Sequence, residues 1–220
     1  MEPVLNDIEV RILGCLIEKE FTTPDYYPLT LNALTNACNQ KSNRTPVFSF
    51  EETTVVRGLD ELNKKGLAEK ILRSDSRVPK YRHIFKDKLD LIASQTAVLC
   101  VLMLRGPQTA GEIRGRAERM HRFADIAEVE EVLTGFMDGE EPMVIKLPRQ
   151  AGLKERRYMH LLSGIPRVNE SEKNIPEEAA TIKVRTENDR ISKLEADYEK
   201  LRRNFDELKL AFNELKSQFD

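Results

Sequence analysis

The sequence predicts a mainly α-helical chain with small β-hairpins, an α+β class in which one supersecondary unit is used twice and a long helix follows. Three observations predict it. First, the later parts of the two units align without a gap: Val55 with Val132, Leu59 with Phe136, Leu67 with Val144, Tyr81 with Tyr158 and His83 with His160, every pair 77 positions apart. Second, in each copy a helical pattern ends at a polar break and two β-rich stretches follow, the second closing on Tyr-x-His. Third, apolar residues recur at spacings of three and four from Ile191 to Phe219. Helices followed by a two-stranded hairpin are the pattern of a winged helix. The expected organisation is therefore winged-helix domain 1 over 1–88, winged-helix domain 2 over 89–164, a linker over 165–183 and a coiled-coil helix over 184–220.

In the first copy, Ile8, Ile12, Cys15 and Leu16 form one stripe and predict a helix over Asn6–Glu20, stopped by the proline-bearing stretch Phe21–Pro28. Leu31, Leu34 and Cys38 predict a second helix over Leu29–Asn39. For the third, Ser49-Phe50-Glu51-Glu52 reads as a capping box, Val55, Leu59 and Leu62 face inward, and Gly66 supplies the left-handed residue after the last turn. Leu67–Arg73 and Tyr81–Phe85 make the hairpin, with Ser74–Lys80 as its wing. In the second copy the helices are expected at Ala97–Leu104, from Thr109 (a second capping box with Glu112) to Met120, and from Asp125 past Phe136. Met143–Leu147 and Glu155–Leu161 close it as a hairpin.

From Ile191 the seam is Ile191, Leu194, Tyr198, Leu201, Phe205, Leu208, Phe212, Leu215 and Phe219, with leucine at every d position. In a parallel pair Arg190 would face the partner's Glu195, and Asp197 the partner's Arg202, both attractive. Four heptads rise about 42 Å. Such a narrow seam pairs with a second copy or folds back along the chain's own domains; dimerisation is the favoured alternative, with strand number and orientation open.

Bulk charge limits the partners. Thirty-five Lys and Arg balance 37 Asp and Glu for a net charge of −2, so an electropositive surface must come from sorting charges onto one face. Three cysteines, Cys15, Cys38 and Cys100, sit at apolar helical positions without a C-x-x-C pair, and are expected as reduced, packed thiols. The N-terminus lacks a signal-peptide pattern, and the longest apolar run, Ala97–Leu104, is too short to span a bilayer. A soluble cytoplasmic protein is expected.

The surface chemistry divides the two copies. In the first, Thr53, Thr54, Arg57 and Lys64 on the third helix, Lys41 and Arg44 in the loop before it, and Arg73, Arg77, Lys80 and Arg82 on the hairpin could contact DNA. Glu51 and Glu52 oppose this, although carboxylates favour a helix N-terminus on their own account. In the second copy the third helix carries Asp125, Glu128, Glu130, Glu131 and Asp138 and no Lys or Arg. Its cations lie on the second helix (Arg114, Arg116, Arg119, Arg122) and the wing, either to bind phosphate in a non-standard pose or to pair with adjacent acids. Tyr81, His83, Tyr158 and His160 are expected as packing groups. No nucleotide loop, metal spacing or nucleophile elbow is present, so no cofactor, metal or catalytic residue is expected.

Two stretches carry a family resemblance: Glu18-Lys19 with Thr22–Asn32 and Ala37-Cys38-Asn39-Gln40-Lys41-Ser42-Asn43-Arg44-Thr45-Pro46-Val47, and Arg105-Gly106-Pro107-Gln108-Thr109 with Gly111-Glu112, Arg119-Met120 and Arg157–Leu161. Over roughly residues 5–164 they resemble the YceH family, bacterial proteins of unknown function with tandem winged helices. Thr45 departs from the acidic residue expected before Pro46-Val47. The resemblance implies bacterial origin and the tandem fold, and supplies no reaction, cofactor or catalytic residue. Within that block Asn32, Asn36, Asn39, Gln40 and Asn43 either contact phosphate or bases, or build the turn through their own backbone.

The expected function is a non-enzymatic, dimeric, double-stranded-DNA-binding regulator acting through its first domain. The competing expectation is a protein-interaction scaffold, as in winged-helix subunits of chromosome-organising complexes, using the acidic third helix of the second domain.

Overall fold

A computed structural model describes residues 4–72, 78–149 and 155–164, all within one compact unit. The coiled-coil seam, the 165–183 linker and the wing residues 73–77 and 150–154, Arg73 and Arg77 included, lie outside the described residues.

Helix α1 (Asp7–Thr22) begins because Asn6 and Glu9 cap each other: the Asn6 side chain accepts from Glu9 N at 2.9 Å and Glu9 Oε2 accepts from Asn6 N at 2.8 Å. The apolar stripe implies a helix with one wet side. Instead Glu9 through Ile17 are all buried, because α2 (Leu31–Cys38), α3 (Glu52–Lys64) and α5 (Ala93–Arg105) all pack against it. A short strand, β1 (Leu29–Thr30), precedes α2 where the sequence pattern implies helix; Thr30 then caps α2, its hydroxyl accepting from Ala33 N. The expected capping box before α3 does not form. Glu51 is the N-cap residue and makes no side-chain cap bond, while the Asn39 amide bonds Phe50 N (2.7 Å) and Phe50 O (2.8 Å) and fixes the entry to the helix. Gly66 has φ +66°, as its place after α3 requires.

Strands β2 (Ala68–Ile71) and β3 (Lys80–His83) form the first hairpin, and β1 adds to β3 for the antiparallel order β1-β3-β2. A one-turn helix, α4 (Phe85–Lys88), leads to α5. Then come α6 (Ala110–Ala117), opened by the Thr109–Glu112 capping box, α7 (Ile126–Met137), capped by Asp125, and the pair β4 (Val144–Lys146) and β5 (Tyr158–His160).

The duplication extends further than sequence alignment reveals. Gln108 bridges Tyr158 just as Leu29 pairs with Tyr81, so each half places a short extended segment beside its Tyr-x-His strand. The 77-residue offset does not hold on the opposing strand. His83 pairs with Ala68 and His160 with Val144, so Val144 follows Ala68 by 76 positions rather than matching Leu67. One residue of slip enters between helix and strand.

The two halves share one core through their first helices. Gly14 lets α1 approach α5 closely: a Cβ there would stand 2.9 Å from Leu104 Cδ2 and 3.3 Å from Met103 Cβ, and Cys100 Sγ lies 3.4 Å from Gly14 O. Gly14→Val should therefore cost about 1–3 kcal/mol by overpacking, read as a lowered urea midpoint; an unchanged midpoint would mean the helices are not in contact at this point. All three cysteines are buried free thiols.

Candidate nucleic-acid interface

Loop 40–44 is held from beneath by a buried arginine. Arg44 is 0% exposed and spends all five of its N–H donors inward. Nε donates to Ala37 O (3.2 Å), Nη1 to Glu18 Oε1 (3.0 Å) and Asn43 O (2.9 Å), and Nη2 to Glu18 Oε2 (2.6 Å) and Gln40 Oε1 (2.9 Å). Arg44 thus cannot contact DNA as expected, since each of its donors is already taken by a partner inside the fold. Burial alone would raise the Glu18 carboxyl, but the hydrogen bonds and charge of Arg44, with Lys19 beside them, hold it below the ordinary carboxylate range.

The amides of this block mostly build the loop. Asn39 ties to Phe50, Gln40 to Arg44, Asn32 to Asn36, and Asn43 takes a left-handed φ of 61° while accepting a hydrogen bond from Arg105. These contacts favour the turn-building alternative for Asn39, Gln40 and Asn43, while Asn32 and Asn36 bond each other on the exposed side of α2.

Above Arg44 lies a cleft of about 480 Å³ between the end of α1, loop 40–43, the end of α5 and the end of α6. Lys19, Lys41, Arg105, Arg116 and Arg119 line it with Thr22, Thr23, Gln40, Ser42 and Asn43, over an apolar floor of Val101, Leu104 and Met120. Among the described residues Glu18 is the one carboxylate in the lining, and both its oxygens are occupied by Arg44. Lys19 also approaches Glu18 at 3.4 Å, and Arg116 approaches Glu112 at 3.7 Å. Among the described residues Lys41 and Arg119 have no ion-pair partner, and both are exposed. The two stretches that carry the family resemblance, one from each half, meet here. Of the cations expected to contact DNA, only Lys41 belongs to this cleft; Arg116 and Arg119 come from the set that could bind phosphate in a non-standard pose.

The α3–hairpin face is more nearly neutral than expected. Arg82 pairs with Glu69, and Lys64 with Glu61 at 2.7 Å. Thr53 and Arg57 stand exposed on α3, Thr54 is half-buried, and Lys80 is half-buried at the start of β3. Arg57 has no ion-pair partner among the described residues. Both histidines of the duplicated Tyr-x-His strands are buried; His83 N donates to the Tyr27 hydroxyl (2.8 Å), and His83 Nε2 lies 2.9 Å from Glu20 Oε2. Among the described residues no cluster of His, Cys, Asp or Glu could hold a metal ion, and no helix is long and apolar enough to cross a membrane.

Over the described residues, fold and site define a duplicated, mainly helical unit with two small antiparallel sheets and a cationic cleft where its halves meet. Its sequence matches the family model described as "Protein of unknown function, DUF480" over residues 5–153. A UPF0502 protein of Geobacter sulfurreducens is 56% identical over 196 residues, 89% of each chain, and one of Geotalea uraniireducens is 59% identical over 196 residues, again 89% of each. A UPF0502 protein of Opitutus terrae is 51% identical over 171 residues, 77% of this chain and 74% of its own. The chain belongs to this DUF480/UPF0502 family of bacterial proteins, for which no function is established.

Proposed function

We propose that the chain is a non-enzymatic, double winged-helix protein that binds duplex DNA, with its phosphate contacts centred on the cleft between the halves. The helix, short extended segment, helix, helix, hairpin order recurs in both halves and supports the winged-helix reading. The observation that carries the proposal is the charge sorting at the cleft. Five cations from two distant stretches of a net-acidic chain converge there, and among the described residues the one carboxylate in the lining is consumed by a buried arginine, with Glu112 near Arg116 alone of the five. Lys41, Arg116 and Arg119 would engage backbone phosphates, while Thr53, Thr54 and Arg57 on the outward face of α3 would approach the groove. The seam from Ile191 to Phe219 would bring two copies together and raise avidity, as a dimeric regulator requires.

The test is a salt titration. Fluorescence anisotropy with a random-sequence duplex should show affinity falling linearly on a log–log plot against salt, with a slope of about −0.9 for each phosphate neutralised. Absence of binding at about 50 mM salt would sink the proposal. It would advance the scaffold alternative, which one observation favours: α7 presents exposed Glu130 and Glu131 beside an exposed Ile126.

A further inference from the structure

A second cationic site lies apart from the cleft, and its arginine is buried without a counter-charge. Arg11 stands in the second turn of α1 and is 2% exposed. Nη2 donates to Pro46 O at 2.6 Å and the guanidinium stacks 4.9 Å above the Phe48 ring, but Nε and Nη1 find no acceptor among the described residues. No carboxylate among them lies within ion-pair distance of Arg11; Glu18, the acid nearest in role, is taken by Arg44. A guanidinium stays protonated even when burial pushes its pKa down, as it does here. An isolated buried charge costs several kcal/mol, roughly, and proteins do not ordinarily leave one uncompensated.

Arg11 lines a cavity of about 190 Å³ with Asp7, Thr45, Phe48, Met159, His160 and Ser163. His160 is also buried, and its Nδ1 likewise has no partner among the described residues. Burial holds this imidazole neutral, with its pKa lowered to about 4. Three orphaned nitrogens thus belong to two residues that line one small cavity, and Thr45 and Ser163 line it as well. Asp7 is the opposing feature; it is exposed, and it stands in the first turn of α1, where the helix N-terminus offsets its charge.

We infer that this cavity is a binding site for a small oxyanion, a carboxylate or phosphate group held by Arg11 with His160 and Thr45 beside it. The group supplies the counter-charge that the chain does not. A ligand here touches α1, the Thr45–Phe48 loop and the strand β5 at once, so its binding should tighten the junction of the two halves. This inference does not rest on DNA binding.

The experiment uses the full chain carrying Lys41→Gln and Arg119→Gln, which weakens anion binding at the other cleft. Thermal unfolding is followed against acetate and against inorganic phosphate, with ionic strength held constant by chloride. A saturable rise in Tm is expected with at least one of the two, and isothermal titration calorimetry should give one site per chain. Thr45→Glu places a carboxylate on the cavity wall within the chain itself. It should raise the basal Tm and abolish the ligand-dependent rise, and Arg11→Met should abolish the rise as well. If Arg11→Met fails to fold, Thr45→Glu decides alone. Neither oxyanion acting beyond chloride, or an undiminished rise in Thr45→Glu, overturns the inference.

Discussion

Arg44→Met should lower the free energy of unfolding by about 3–5 kcal/mol, the cost of breaking a buried ion pair from one side. The magnitude follows from what is stranded. Removing the guanidinium leaves the Glu18 carboxylate largely buried with only Lys19 near it, and leaves Ala37 O and Gln40 Oε1 without their donors. Glu18→Gln should cost a comparable amount by orphaning Arg44. The double variant should cost less than the two singles summed, because each single already contains the same lost interaction. Urea denaturation measures all three, and a single-variant loss below about 1 kcal/mol would show the pair to be solvated rather than buried. Acid supplies an independent check. The folded Glu18 pKa lies below its unfolded value, so its contribution is complete above about pH 4.3 and is lost as pH falls through the folded value. Stability should therefore fall more steeply below that pH in the natural chain than in Glu18→Gln; parallel profiles would contradict the depressed carboxyl.

Lys41→Gln with Arg119→Gln should weaken binding to random duplex by about 60-fold at 0.1 M salt and make the log–log salt slope shallower by about 1.8, from two lost phosphate contacts. Both side chains are exposed and neither has an ion-pair partner among the described residues, so folding should be unaffected and circular dichroism should match the natural chain. The matched control is Lys64→Gln with Arg82→Gln. Those cations already face Glu61 and Glu69 and should change affinity little. If the control pair weakens binding and the cleft pair does not, the hairpin face is the contact surface and the cleft is not.

What the sequence revealed was mostly local. The Thr109–Glu112 box, the Asp125 cap and Gly66 are decided within four residues, and the structure has all three. What it concealed was long-range. Glu18 and Arg44 are 26 positions apart, and an arginine in a polar loop is indistinguishable by composition from a phosphate contact until its partner is placed. The cleft shows the same limit: Lys41 and Arg119 were each visible as cations, but their convergence depends on how α1 packs against α5. Arg11 did leave a trace. It stands between Val10 and Ile12-Leu13 in a segment apolar on nearly every side, a setting that argues for burial, whereas the stripe of Ile8, Ile12, Cys15 and Leu16 implied a wet flank on which it could sit. Strand β1 escaped notice because two residues carry no periodicity.

The close approach at Gly14 makes the two duplicated halves a caliper rather than two beads on a string. With α1 and α5 locked backbone to side chain, the jaws formed by loop 40–43 and the end of α6 keep a set gap, and whatever they grip must fit that gauge. A fragment cut after residue 88 would lose one jaw and uncover the flank of α1 that α5 seals, so it should be sticky and poorly behaved rather than a miniature of the whole.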